Sequence, residues 1–223
     1  MTTKQLLFAT ALLVVLALSL FALLQKHQAG RKEVIAMRNM QQWGIALNLY
    51  LIDNRNELPQ TGQVPITTDQ TQAWFNALPP YLSRKPLAEL PPTERPRPGV
   101  PSFWMNPMLK ARRVWDNEQF FFALAMNRWL QPDPALRPFR INELGVPSKV
   151  IFLSETNCFS PLLDPDTLYS AWRASNPNSA SSASFVLFCD GHAELVPRSK
   201  LLDPAALLAP TDSFPLPASW FKE

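Results

Sequence analysis

From Leu6 to Leu24 the chain reads LLFATALLVVLALSLFALL, nineteen residues without a charge. At about 1.5 Å of helical rise per residue the run spans roughly 28 Å, close to the hydrocarbon thickness of a bilayer, which predicts a transmembrane helix. Between Arg31 and Asp53 the apolar positions become periodic. Ala36, Met40, Trp43, Leu47 and Tyr50 follow one another in steps of four and three, with Val34, Met37, Gly44 and Leu51 beside them. Such spacing gives a helix one buried and one wet face. No proline precedes Pro59, and only Gly30 interrupts helix formers between the two stretches, at a cost of about 1 kcal/mol. Together they predict one rod of about 50 residues, roughly 75 Å long; the alternative is two helices hinged at Gly30. Asn54-Arg55-Asn56-Glu57-Leu58-Pro59 ends it.

Beyond Pro59 the elements shorten. Asp69 to Leu82 (DQTQAWFNALPPYL) predicts a short helix capped by Asp69 or Thr71, carrying Trp74, Phe75 and Leu78 and stopped by Pro79-Pro80. Proline and charge from Ser83 to Gly99 read as a surface connection. Phe120 to Met126 (FFFALAM), Lys149 to Ser154 (KVIFLS) and Phe185 to Cys189 (FVLFC) are short apolar runs with polar or proline-containing borders, as in strands of a well-covered sheet. The first also suits a helix, because Ala and Met favour one. Asp190-Gly191 then joins the third run to His192 to Val196 (HAELV), a hairpin signal that ends the sheet in an antiparallel pair. Ser175 to Ser184 reads as a loop, and in the proline-rich tail Trp220 and Phe221 are the residues expected to dock. The chain thus divides into an anchor (1–30), an amphipathic continuation (31–57), an α+β globular domain (58–200) and a tail (201–223).

Composition narrows the classes. With 47% hydrophobic residues and a net charge of +3 spread along the chain, neither disorder nor a nucleic-acid partner is indicated. Twenty-three prolines against six glycines imply long proline-punctuated connections and few positions of positive φ. A secretory signal would have an apolar core of about 7–15 residues and a small-x-small site behind it; the run is longer, and Gln25 to Gly30 offers no such site. An uncleaved anchor is the expectation. Lys26, Arg31, Lys32 and Arg38 outnumber Lys4, so charge counting alone puts the C-terminal side in the cytoplasm. The two cysteines weigh the other way: Cys158 and Cys189 permit one disulfide in an oxidising compartment, or equally two buried thiols.

Candidate chemistry is sparse. Leu58-Pro59-Gln60-Thr61-Gly62 has the pattern of a sortase sorting signal, but such a signal sits near a C-terminus, and ordinary turn chemistry explains it. Asp190 and His192 share a turn, yet the chain has two histidines and two cysteines, too few nitrogen and sulfur ligands around one point for zinc. Asp164-Pro165-Asp166 lacks the further acids or glycine of a calcium loop. Glu155 and Asp190 sit at expected strand ends, where acids usually form turns. A glycine-flanked serine elbow, a phosphate loop and a zinc-protease helix are all missing. No catalytic residue, metal ligand or cofactor is therefore assigned, and a non-enzymatic protein is expected.

Several segments in order resemble the pilin-like proteins of the type II secretion and prepilin group, in particular those with the prepilin-type processing-associated C-terminal motif. Ala11 to Ala17 (ALLVVLA) looks like the apolar start of a prepilin helix, and Met37 to Asn54 (MRNMQQWGIALNLYLIDN) like its continuation. Trp74 to Leu82, Ala125-Met126-Asn127, Pro147-Ser148-Lys149 and Phe188-Cys189-Asp190-Gly191-His192 are similar to recurrent segments of the group. The resemblance implies a pilin-like α+β fold in which Trp43, Leu47 and Tyr50 pack the helix onto an antiparallel sheet. It also implies a single-pass inner-membrane protein with its domain outside the cytoplasm, its partners the bilayer and pilin-like subunits of a secretion or pilus-type system, as a homo- or hetero-oligomer. Two departures qualify it. Leu6 stands where the family has the cleavage glycine, and Ala11 where it has the glutamate that neutralises a neighbour's new amino terminus; Ala180 replaces the histidine that the motif separates by nine residues from Asp190-Gly191. A buried ammonium costs several kcal/mol unless paired, so the missing glutamate fits a chain that is not processed. The competing class is a solitary membrane-tethered binding module for an extracytoplasmic polymer or protein.

Overall fold

The computed structural model describes residues 3–97, 100, 102–105, 107, 122–131, 133, 135–158, 160–164, 183–197, 200 and 207–211. Its first element, α1, runs from Thr3 to Asp53 without a break, about 77 Å at the helical rise. Gly30 is no hinge: the helix passes straight through it, and a Cβ there would meet nothing within 4 Å. The two halves of α1 have different surroundings. Every described side chain from Leu12 to Gln28 is exposed, whereas Ala36, Met40, Trp43, Ala46, Leu47, Tyr50 and Leu51 are buried. Of the residues expected beside this stripe, Val34 faces away and is 68% exposed, because the domain begins to cover α1 only one turn later. The helix ends in a Schellman pattern: Asn56 N–H bonds to Leu51 O, and Arg55 and Asn56 adopt positive φ.

The α+β domain packs on the second half of α1. A five-stranded sheet is built from β1 (Phe122–Asn127), β2 (Ile151–Cys158), β3 (Leu162–Leu163), β4 (Ala183–Phe188) and β5 (Ala193–Pro197), in the order β3-β1-β2-β4-β5. All neighbours are antiparallel except β3, which runs parallel to β1. The sheet is therefore mixed rather than purely antiparallel. The chain folds back after β2 so that Pro161 O accepts from Met126 N–H and Leu162 lies beside Met126. Both faces are covered. Phe185, Leu187 and Cys189 join Trp43, Leu47 and Leu153 on the α1 side. Val186 and Phe188 alternate with them to the far face, where Ala125, Ile151 and Leu208 close a second core. Double coverage is what makes these strands read as unbroken apolar runs. Asn127 ties the far face together: its Nδ2 donates to Ile151 O and Leu208 O, and its Oδ1 accepts from Trp129 N–H. The tail thus docks through Leu208 within residues 207–211; Trp220 and Phe221 lie outside the described residues, as does the span 165–182.

Two local expectations change. The short helix α2 is a single turn, Trp74–Ala77, preceded by extended Ala73 with no side-chain cap. Neither Asp69 nor Thr71 caps it, because Gln60 pairs with the strand-like residues before it: Gln60 N–H bonds to Gln72 O, and Gln60 O takes the Trp74 N–H. Pro79-Pro80, expected only to stop this helix, opens a 3-10 turn over Pro79–Leu82, since proline φ suits a first helical turn. Glu155 is the second correction. It does not end its strand but lies inside β2, only 4% exposed, and its carboxylate accepts the Phe185 N–H of β4 at 3.2 Å. The ladder to β1, with Leu124 opposite Glu155, carries β2 past Ser154. On the surface, the Arg137 guanidinium and the Arg140 N–H hold the Glu143 carboxyl down at about 2.

Candidate functional site

The fold treats the chemical features of the sequence differently. The turn at Asp190, Gly191 and His192 comes together as a hairpin whose three loop residues are Cys189, Asp190 and Gly191, with His192 paired back to Phe188. Gly191 N–H bonds to Phe188 O and Phe188 N–H to His192 O, with Gly191 at φ 88°; this is a type I turn closed by a left-handed glycine, and Asp190 keeps a negative φ. Asp190 Oδ1 accepts from His192 N–H at 3.1 Å and lies 2.5 Å from the His192 Nδ1. The imidazole stacks on Phe188, ring centroids 4.4 Å apart and planes 5° from parallel. Asp190 Oδ1, the His192 Nδ1 and the imidazole face are thereby engaged in shaping the turn.

The turn is also where α1 meets the sheet. A Cβ on Gly44 would stand 2.1 Å from Gly191 O, and one on Gly191 would stand 2.4 Å from the Asn48 Nδ2. Glycine at both positions lets the helix backbone touch the hairpin backbone. Trp43, Leu47 and Tyr50, expected to pack the helix, do so at 0%, 0% and 5% exposure.

Cys158 and Cys189 do not form the disulfide that their even number permits. Cys189 is a free buried thiol whose pKa is pushed well above the usual value by burial and by Asp190. Its N–H bonds to Val150 O at the start of β2, while Cys158 is the last residue of β2, about 23 Å away at the strand rise and far beyond disulfide reach. Asp164 faces Arg128 at 3.8 Å, and Asp166 lies outside the described residues. Among the described residues no three His, Cys, Asp or Glu side chains gather as a metal site. The Leu58 to Gly62 segment is folded in: Thr61 is 3% exposed, and both its N–H and its hydroxyl reach Gln131 Oε1. These bonds tie Thr61 to the domain.

Two surfaces remain. The first is the outer face of α1, where Ile45, Leu49 and Ile52 recur at helical spacing with 55%, 41% and 76% exposure. The apolar residues Leu12 to Leu24 are exposed in the same helix, which is long and apolar enough to cross a membrane.

The second surface is a groove of about 310 Å³ at the C-terminal end of α1, the pole opposite its apolar half. Tyr50 from α1, Asn54 just past its end, Thr68, Thr71 and Gln72 from the loop before α2, and Tyr81 from the 3-10 turn line it, with Glu89 at its edge. Among these, helical periodicity in the sequence marks Tyr50 alone; Asn54 and Thr71 read there as a helix end and a candidate cap, and the rest lie in segments without periodicity. Tyr50 Oη donates to Gln72 Oε1 at 3.0 Å and Tyr81 Oη to Asp53 Oδ2 at 3.1 Å, while the two rings meet edge to face with centroids 6.0 Å apart. Asn76, beneath them, is consumed in scaffolding: its amide donates to Thr67 O and Gln70 O and accepts from Ala88 N–H.

Burial, reinforced by Glu57 and Tyr81, pushes the Tyr50 phenol up to about 12. Against an unfolded value of about 10, the native state holds the proton over a pH range where the unfolded chain has lost it. The contribution is therefore complete below pH 10 and is lost as pH rises through 12. Urea unfolding followed by circular dichroism should show the wild type losing stability more steeply than Tyr50→Phe between about pH 10 and pH 12. Equal slopes would remove Tyr50 as the cause.

Comparison of the chain with protein-family models, with curated proteins and with solved structures returns no match.

Proposed function

We propose that this chain is a membrane-anchored, pilin-like structural or accessory subunit of a bacterial type II secretion or pilus-type system, not processed by the prepilin peptidase. The observation that carries the reading is the division of α1: one unbroken helix supplies the domain's core through Trp43, Leu47 and Tyr50 and leaves its apolar first half uncovered. Such a half needs lipid or other helices around it, since water solvates it poorly. The exposed Ile45, Leu49 and Ile52 extend an apolar face beyond the spanning segment, where like subunits can pack. Leu6 and Ala11, in place of a cleavage glycine and its glutamate, support the unprocessed state. The domain then lies outside the cytoplasm of a single-pass inner-membrane protein, in the orientation of the group it resembles and against the positive-inside count.

Crosslinking in intact membranes, followed by affinity recovery and intact-mass measurement, tests this. Oligomers of this chain or adducts with other single-span subunits are expected, Ile45→Asp should suppress them, and the mass should match an N-terminus upstream of Leu6. Recovery of monomer alone would defeat the subunit reading, and a chain beginning at Leu7 or beyond would defeat the unprocessed state. The groove beside Tyr50 favours a second reading, a solitary tethered module that binds an extracytoplasmic polymer or protein.

A further inference from the structure

We infer that the groove between Tyr50 and Tyr81 binds a neutral saccharide unit. At about 310 Å³ it lies at the lower end of small-molecule pockets, roughly 300–1,000 Å³, and it has room for a single sugar ring with its substituents. Its chemistry excludes the common alternatives. An anion meets no cation here, since the lining includes no Lys, Arg or His and carries Glu89, with Asp53 hydrogen-bonded to Tyr81 and the carbonyl end of α1 alongside. An apolar ligand would strand polar groups from water. Among the described residues the Gln72 amide nitrogen and the hydroxyls of Thr68 and Thr71 make no hydrogen bond. An extended peptide adds to a sheet edge, and the groove is lined by no strand residue.

A sugar answers each feature. Its hydroxyls donate to Glu89 and to the threonine oxygens and accept from Gln72, while a ring face of C–H groups packs on the partly exposed Tyr81 ring. The Tyr50–Gln72 and Tyr81–Asp53 hydrogen bonds hold both phenols in place before a ligand arrives, which lowers the ordering cost of binding. Tyr50 lies 26 residues along α1 from Leu24, about 39 Å at the helical rise, so the groove opens at the far pole from the apolar half. Its outward position rests on the proposed anchoring, but its chemistry does not.

The test uses the full chain in lipid nanodiscs free of alkyl glycosides, probed by saturation-transfer NMR with cello-, malto- and chito-hexaose. Transfer to ring C–H protons of at least one hexaose is expected, with a dissociation constant on the order of millimolar. Gln72→Ala and Tyr81→Ala should each weaken it about tenfold, the loss of one good contact, while the domain still unfolds in one cooperative transition; Thr71→Val serves if Tyr81→Ala unfolds. Silence from all three hexaoses, binding indifferent to these variants, or competition by a peptide pool alone would overturn the assignment. Crosslinked oligomers recovered from the same membranes despite such silence would leave the subunit reading standing and remove only the sugar site.

Discussion

Trp43→Ala should cost the domain about 3 to 5 kcal/mol, the range for deleting a buried Trp or Phe side chain. Trp43 is fully buried on α1 and forms the hub of an aromatic cluster: Phe103 stacks on it at 4.3 Å, with Trp104 at 4.9 Å and Trp74 at 5.6 Å. Truncation leaves a cavity bordered by three large rings, none of which can collapse into it without leaving another contact. Since a domain of this size is stable by only about 5–15 kcal/mol, much of the variant should populate the unfolded state at moderate temperature. The Trp43 indole N–H makes no hydrogen bond to any described residue, so Trp43→Phe forfeits chiefly packing and should fall well short of that loss. Urea unfolding in nanodiscs, with exposed Ile45→Ala as a control expected within about 0.5 kcal/mol of wild type, provides the measurement. A Trp43→Ala loss below 1 kcal/mol would show that the cluster is not the centre of the core.

Gly44→Val should destabilise by the opposite route. A Cβ at residue 44 would stand 2.1 Å from the Gly191 carbonyl oxygen, 3.1 Å from its carbon and 3.1 Å from Leu187 Cδ1. The nearest obstacle is backbone, so no rotamer change relieves it and either α1 or the β4–β5 hairpin must move. Overpacking of this kind costs about 1–3 kcal/mol and occasionally more, a fall of roughly 2–12 °C in melting temperature for a chain of this length. Gly191 cannot yield easily, since its φ of 88° and the Asn48 amide over it fix the turn. Thermal unfolding of Gly44→Val and Gly44→Ala should rank valine as the more harmful. A variant as stable as wild type would show that helix and hairpin separate freely.

The contact between Gly44 and Gly191 also gives the Asp190-Gly191-His192 turn its place in the molecule. Asp190 and His192 face each other and shape the loop, and Gly191 presents its carbonyl to α1. A carboxylate and an imidazole side by side suggest acid–base or metal chemistry when met in sequence. In the fold the described residues bring no hydroxyl or thiol nucleophile to the imidazole, and the Cys189 thiol beside the turn is buried and held protonated.

What was legible in the sequence is what depends on neighbours along the chain. Nineteen uncharged residues determine an apolar helix, the steps from Ala36 to Tyr50 determine which side of α1 is buried, and Asp190-Gly191 determines a hairpin, because period and turn chemistry act within one or two turns of backbone. Tertiary structure decided the rest. Glu155 became an interior strand residue because β1 lies alongside it, and α2 lost its expected cap because Gln60 supplies the bond to Trp74 from fourteen residues upstream. Cys158 and Cys189 were set at opposite ends of β2 by a register that no local pattern encodes. The groove belongs to the same class: Tyr50 and Tyr81 are brought face to edge by chain segments far apart in sequence, and a pocket exists only once nonlocal packing has closed its walls.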